Sequence, residues 1–480
     1  MINKKITSVV LIFFLMAAAA LLSACGTTGS AKTETTSQED LTSKISSKID
    51  AYTTDLMDSK DSMKSNRAIC RYLQSWAKSK GIHSETDSAG NVIMSVSSSK
   101  KYKDAAPVVI VCPYDYLEFD NYSRPVAMAL YTIKNNESTG KLTVIFTRED
   151  GHDLSGVKTL NKKYFTDDAN VFCLNAADQG LFSLKSGASS TYRFTQSVRR
   201  VSPTLTKAYK ITIKGLSATQ PDAQISKATN PITRLESLLV SLKNRNISYE
   251  IASFRGGENT NLYAASATLT IVIDANKEKS FLDKMQEVTE RFNEDKSKMH
   301  PGATYTYKEV DLPFRVIHRS DGSRLVNFMY TLLDGVYEKD EDSGDLVSIN
   351  NVSKIDTSGS RVQISSVAYS LSETNLKTID TDARTLCNLS DIKFSKTGSV
   401  PMWTGKEDTE FTKNVASAYK KTTGKTLSYN NSVTSTSASY VAQKNSKCNI
   451  ISITLNENIL KDCTGTMINY LINSLPEDDD

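Results

Sequence analysis

An α/β body interrupted by an inserted α+β domain is the fold class predicted by this 480-residue sequence. Three observations carry the prediction. Short, continuous apolar strands alternate with helical stretches between Asn91 and Leu174, the pattern of a sheet covered on both faces. From Tyr209 to Leu371 the strands instead alternate apolar with polar residues, as in a sheet with one helical layer. The chain then returns to a helix and a buried strand before it ends. Once a leader and tether are set aside, about 440 residues remain, more than one ordinary core holds, so two domains are expected.

The N-terminus carries Lys4 and Lys5, an apolar run from Val9 to Leu22, and then Leu22-Ser23-Ala24-Cys25. A positive flank, a short apolar core and small residues before a cut are the parts of a secretory signal, here residues 1–24. The run is short for a membrane span, which needs roughly 20 residues. Leu-Ser-Ala-Cys resembles the bacterial lipobox, so Cys25 is expected to be lipidated and to anchor an exported chain on the extracytoplasmic face of the cell membrane. Residues 25–40 read as the lipidated cysteine and a flexible tether, because Gly26–Asp40 is too polar to pack.

The body begins with a helix marked by Ile69, Tyr72, Leu73 and Trp76 and stopped at Lys80-Gly81. Strands follow at Asn91–Val96, Val108–Cys112, Leu142–Thr147 and Val171–Leu174, with a helix at Val126–Ile133. Residues 41–203 are assigned to the first part of the body. In the insertion, assigned to 204–390, strand Tyr209–Lys214, helix Ile232–Leu242, strand Ala267–Ile273 and a helix over Lys277–Phe292 come first. A similar set follows at Tyr305–Val310, Leu325–Leu333 and Val362–Leu371. Residues 391–480 complete the body with helix Glu407–Lys421, strand Asn449–Ile453 and a last helix around Met467–Leu475.

Composition narrows the function. Removing residues 1–24 takes only Lys4 and Lys5 from the 58 basic residues, leaving 56 against 54 acidic ones, a net charge of +2. With no basic run or glycine-rich phosphate loop, nucleic acid is not an expected partner. The six cysteines after Cys25 are scattered, without a Cys-x-x-Cys pair. Cys112 and Cys173 read as small buried residues, and a disulfide between Cys448 and Cys463 is left open.

Several segments carry a resemblance. Val108-Val-Ile-Val-Cys-Pro-Tyr-Asp115, Pro125-Val-Ala-Met-Ala-Leu130, Leu142-Thr-Val-Ile-Phe-Thr147, Ser155-Gly156 and Val171-Phe-Cys-Leu-Asn175 together resemble the aminoacyl-histidine dipeptidase family of dinuclear zinc peptidases. Leu333-Asp-Gly-Val336, Asn350-Asn-Val352 and Val362-Gln-Ile-Ser-Ser366 are similar to that family's inserted domain. The resemblance implies a zinc-peptidase-like body, an inserted domain of the lid or dimerisation type, and a homodimer formed through it. It also implies two zinc ions, sharing an attacking water, at the ends of the sheet strands.

The positions the resemblance assigns to metal ligands depart from the family. Its Gly-His-x-Asp motif falls on Cys112-Pro113-Tyr114-Asp115, with a proline where the histidine belongs. The bridging aspartate falls on Asn121, or on Asp120 after a one-residue shift. The paired glutamates, general base then ligand, fall on Asp150 and Gly151, which leaves Asp150 as a vestigial base position. The next ligand falls on Asn175 and the last, a histidine in the family, near Lys461. The inserted domain's substrate-contacting histidine falls near Thr219 or Gln220, and a His-x-x-x-Glu pattern lands on Val433 and Ser437. With these ligands missing, no cofactor is expected.

Of the four histidines, His83, His300 and His318 read as surface or loop residues. His152 lies in Glu149-Asp150-Gly151-His152-Asp153, a loop after a sheet strand, where open α/β sheets place ligands. Asp115, Asp120, Asp150 and His152 are therefore the residual metal candidates. Ser155-Gly-Val-Lys158 and Lys396-Thr-Gly398 echo penicillin-recognising enzymes, but the suggestive Ser428-Tyr-Asn430 follows them in the wrong order. The leading reading is a non-catalytic, surface-anchored pseudo-peptidase whose cleft binds a peptide or protein. The alternatives are an active dipeptidase with a reduced metal site around Asp115, Asp150 and His152, and a scaffold with no small ligand.

Overall fold

The computed structural model describes residues 31–136, 140–177, 180–221, 229–296 and 300–475. The signal segment 1–24 and Cys25 lie outside the described residues. Among the described residues, no helix is long and apolar enough to cross a membrane.

The chain opens with helix α1 (Ala31–Asp58), whose Ile45, Ile49 and Leu56 follow helical spacing and are buried against the body. The tether expected over 25–40 is corrected here. Helical backbone starts at Ala31, because a helix packed through its later turns propagates into Thr and Glu residues at little further cost. Helix α2 (Asn66–Ser79) follows, capped by Ser65, whose hydroxyl accepts from Ala68 N. The predicted stop at Lys80-Gly81 is in place, with Gly81 at φ +69°.

The first half of the body supplies β1 (His83–Thr86), β2 (Val92–Val96), β3 (Val108–Tyr114), helix α3 (Phe119–Lys134), β4 (Leu142–Arg148), short helix α4 (Ser155–Thr159), β5 (Asn170–Ala176) and β6 (Leu181–Ser186). The insertion contains β7 (Ala188–Ser197), β8 (Arg200–Val201), β9 (Lys207–Lys214), α5 (Pro231–Asn244), β10 (Tyr249–Gly256), β11 (Ala267–Ile273), α6 (Glu278–Lys296) and β12 (Thr304–Val310). It continues through β13 (Val316–Ile317), α7 (Arg319–Thr331), β14 (Gly335–Lys339), β15 (Leu346–Ser358), β16 (Arg361–Ser370), α8 (Glu373–Leu389) and β17 (Lys393–Val400). The body resumes with β18 (Trp403–Thr404), α9 (Glu410–Thr423), β19 (Tyr429–Ser432), α10 (Ala438–Lys444), β20 (Asn449–Leu455) and α11 (Leu460–Asn473).

The body sheet runs β1-β2-β4-β3-β5-β20-β6-β18, with β19 beside β6. Its centre, β4-β3-β5-β20, is parallel and buried on both faces, which explains the unbroken apolar runs. One face packs against α1, α2, α3, α9 and α11; the other is covered by α4 and α10. Sheet membership moves the domain boundaries. Strand β7 pairs with β16 and β17, so the insertion begins near Ala188 rather than 204 and ends near Val400 rather than 390.

The insertion consists of two βαββαβ units. The first, β9-α5-β10-β11-α6-β12, has strand order β12-β9-β11-β10; the second, β7-α7-β15-β16-α8-β17, has order β15-β16-β7-β17. They join edge to edge at a single register pair, Gly256 opposite Ile355. The approach there is so close that a Cβ on Gly257, at φ +75°, would lie 1.8 Å from the Ser353 carbonyl oxygen. The four helices bury one common core against the same face of this continuous sheet.

Cys448 and Cys463 are free and buried in clusters on opposite faces of the body sheet, so the disulfide left open by the sequence is not formed. Cys112 and Cys173 are buried, as expected.

Candidate functional site

Strand β3 ends at Tyr114, and the next residue, Asp115, turns into the body with 1% of its surface exposed. Its Oδ1 accepts from Leu117 N at 2.9 Å, and its other oxygen accepts from Gly151 N. Burial raises its carboxyl to about 6; the two backbone donors and His152 oppose that rise, and Glu118 adds to it.

Helix α3 begins four residues later, and its first turn faces the same space. Glu118 precedes the helix and Tyr122 lies one turn on, so the i,i+4 spacing puts both side chains on one face. His152, from the loop after β4, fits between them. Its Nε2 is 3.0 Å from Glu118 Oε2 and its Nδ1 is 2.8 Å from the Tyr122 hydroxyl. Burial holds the Tyr122 phenol far above its ordinary range, so it keeps its proton. Nε2–H donating to Glu118 then leaves Nδ1 to accept from Tyr122, which satisfies both ring nitrogens.

Glu149 completes the buried set. It is fully buried, neither carboxyl oxygen has a hydrogen-bond partner among the described residues, and burial with nearby Asp153 and Asp115 pushes its carboxyl well above the usual range. Its neighbour Asp150 is exposed. The carboxyl that enters the body after β4 is therefore Glu149, and Asp150, assigned the vestigial base position, stays outside the cluster.

Residues 149–153 are also held from the other side. Asn259 and Asn261, between β10 and β11, reach across from the inserted domain: Asn259 Nδ2 donates to Asp150 O at 3.3 Å and Asn261 Nδ2 to Gly151 O at 3.1 Å. Gly151 sits at φ +64°, and a Cβ there would lie 2.2 Å from Asn259 Nδ2. The left-handed dihedral favours glycine, and a side chain here would have to displace the Asn259 amide.

The remaining assigned positions do not converge. Asp120 is exposed and its carboxylate takes the Lys60 ammonium at 2.6 Å. Asn121 Nδ2 donates to Glu118 Oε2 at 3.5 Å. Pro113 sits inside β3, and Asn175 Nδ2 donates to Ser452 Oγ at 2.9 Å. Lys461 lies on the surface and pairs with Asp50 of α1 at 2.8 Å, so its ammonium does not enter the site. Gln220 Nε2 approaches Ser435 O at 3.5 Å, and Thr219 O accepts from Tyr263 N. Val433 is packed beside Ile349 and Tyr369, and Ser437 is buried at the start of α10.

This donor set does not fit two zinc ions. Such a centre needs several anionic or imidazole side chains with free lone pairs converging on one point. Among the described residues, no group of three or more His, Cys, Asp and Glu could hold a metal ion. Where imidazole and carboxylates do meet, both ring nitrogens of His152 and both oxygens of Asp115 already have protein partners. The single-metal arrangement of Asp115, Asp150 and His152 also loses Asp150 to solvent.

Glu118, Tyr122, Asn259 and Asn261 were not singled out in the sequence. The Glu118/Tyr122 spacing is a usable signal, but Pro125 reads as a helix start and hides the turn before it.

Residues 208–300, within the first unit of the insertion, match the M20_dimer family, the peptidase dimerisation domain. The fold is similar to that of aminoacylhistidine dipeptidase from Vibrio alginolyticus, with TM-score 0.57 and 15% identity over 89% of this chain and 97% of that one. It is also similar to human carnosine dipeptidase 1, with TM-score 0.50 and 9% identity over 91% of this chain and 98% of that one. No curated protein matches the sequence significantly. The chain thus has the M20 dipeptidase fold.

Proposed function

We propose that this chain, built on the M20 dipeptidase fold, is a non-catalytic peptidase relative that holds a peptide or a protein in the cleft between body and inserted domain. A signal peptide over residues 1–24 exports it, and lipid on Cys25 anchors it at the extracytoplasmic face of the membrane. A homodimer through the inserted domain, with which the dimerisation-domain match is consistent, belongs to the same proposal.

One observation carries the reading. At the strand ends where the resemblance implies metal ligands, this chain has a hydrogen-bonded protein network of Glu118, His152, Tyr122 and Asp115, closed from outside by Asn259 and Asn261. Metal binding would have to break those contacts before forming its own. Tyr116 and Leu117, large apolar residues directly after buried Asp115, are 42% and 55% exposed and offer contact area to a partner.

The test combines metal analysis with hydrolysis. Purified protein dialysed against zinc is expected to retain no stoichiometric metal and to leave a dipeptide panel uncut. Two tightly held zinc ions, together with chelator-sensitive dipeptide cleavage, would overturn the proposal. Loss of any such activity in Asp150→Ala would favour a reduced metal site instead. For the anchor, Cys25→Ser is expected to release the chain from the membrane fraction, and retention there would refute lipid attachment at Cys25.

A further inference from the structure

Among the described residues, the sheet of the first βαββαβ unit has its helices on one face only. Along β9, Tyr209, Ile211 and Ile213 enter the core, which turns Lys210, Thr212 and Lys214 to the opposite, open face. The same alternation puts Thr306 and Lys308 of β12, Thr268 and Thr270 of β11, and Ser253 and Arg255 of β10 on that face. A small apolar cluster around Ala208, Val272 and Val316 lies at one end, beside Glu250, which accepts from Thr204 N and Leu205 N; the middle of the face on β9, β11 and β12 carries lysines and hydroxyls.

Its register is unusual for a face meant only to be wet. Lys308 stands directly opposite Lys210 on neighbouring strands, a like-charge pairing that weakens a sheet. Lys210, Lys214 and Lys308 have no ion-pair partner among the described residues, whereas Lys207, three residues before Lys210, is paired with both Glu278 and Glu309. Threonine hydroxyls sit between the charges: Thr270 is opposite Lys210, and Thr268 is opposite Thr212 on one side and Arg255 on the other.

A groove of about 600 Å³ follows the face from Lys210 past Thr268 and Thr270 to Arg255 and Lys354, where the two units join. Asp356 and Glu258 line its far end, but Asp356 is 3.2 Å from Arg255 and Glu258 accepts from Ser266. No aromatic side chain lines it. Base stacking, which dominates single-stranded nucleic-acid binding, is therefore not provided.

We propose that this face binds a linear polyanion carrying phosphate charges along a flexible, non-aromatic backbone. Lys210, Lys308 and Lys214 neutralise the charges and the threonine hydroxyls donate to phosphate oxygens. An anion lying across β9 and β12 turns the Lys210/Lys308 repulsion into attraction, which gives the unpaired register a physical purpose. One end of the groove, at Gly257 and Glu258, adjoins Asn259, which donates to Asp150 O, but Lys210, Lys308 and Lys214 lie on β9 and β12, so the proposal does not depend on whether the loop 149–153 cluster is catalytic.

The test uses the whole exported chain and inorganic polyphosphate as the probe. Binding is expected at physiological salt and should weaken steeply as salt rises, because cations on the protein displace counterions. K210E/K308E is expected to lose about tenfold or more in affinity, while K78E, on the distant helix α2, leaves it unchanged. Folding is checked independently: Lys308→Thr, by removing the like-charge pair, is expected to raise the thermal midpoint of the unliganded protein. Absence of binding at physiological salt, equal loss in K78E, a lower midpoint in Lys308→Thr, or tighter binding of a single-stranded oligonucleotide than of polyphosphate would each overturn the proposal.

Discussion

Glu118 and His152 stand 3.0 Å apart with 1% and 3% of their side chains exposed, an ionisable pair sealed inside the body at the carboxyl ends of its strands. Removing one member of such a buried pair strands the other. His152→Ala is therefore expected to lower the unfolding free energy by about 3 kcal/mol. Glu118→Gln keeps an acceptor for Nε2–H and should cost clearly less. Urea titrations of the two variants check this order, and equal losses would contradict the assigned hydrogen bonds.

Gly151 is the second point of test. Gly151→Ala must hold a left-handed backbone and push against Asn259, so a loss of about 2 kcal/mol is expected. Trimming the neighbour in the double variant Gly151→Ala/Asn259→Ala should recover the packing part and leave the backbone part. A double-mutant cycle measures the coupling, and strict additivity would mean that the inserted domain does not press on this loop.

Three carboxyls give stability a pH dependence of known sign. Burial raises Asp115 and Asp334 to about 6 and Glu236 to about 7. Each keeps its proton in the folded state over a range in which the unfolded chain releases it, so stability falls as pH rises from about 4 to 7 and levels off above. Asp334 is set among donors from both units of the insertion: Val352 N at 2.8 Å, Asn230 Nδ2 at 3.1 Å and Thr233 Oγ1 at 3.2 Å. Asp334→Asn should flatten the curve between pH 4 and 7 by up to about 3 kcal/mol. An unchanged slope in chemical denaturation at several pH values would refute the contribution.

Thiol chemistry supplies a further check. Cys448 lies beside the Thr166 carbonyl and Cys463 in α11, on the other side of the sheet. All six cysteines after Cys25 should react with a thiol reagent once the protein is unfolded without reductant. Recovery of only four would reveal a disulfide.

The body strands were legible because burial on both faces writes itself as an unbroken apolar run, as in Val108–Val111. The inserted domain was legible through alternation, as in Tyr209–Lys214. Its edges were not: Ala188–Ser197 is Ser- and Thr-rich, and only pairing with β16 and β17 shows to which sheet it belongs. At the site, that Pro113 and Gly151 offer no side-chain donor was readable by residue type alone. Positions whose meaning depends on direction were not. Lys461 turns out to α1, Asp150 faces solvent, and Glu149 one residue earlier turns inward, distinctions that a one-residue register decides.

The single pair between Gly256 and Ile355 also bears on assembly. An unpaired edge strand is a template for another chain. Here the inner edge of each βαββαβ unit is closed by its sibling, so the insertion is already a two-unit assembly within one polypeptide. The ladder's outer edges are β12 at one end and β17 at the other. Two copies joining β12 to β12, or β17 to β17, would close with twofold symmetry, whereas β12 joining β17 would have no natural stop and would build a filament. The bulge that breaks β17 between Lys396 and Gly398 works against every mode that uses β17, so of the three only β12 to β12 would be left unhindered by it.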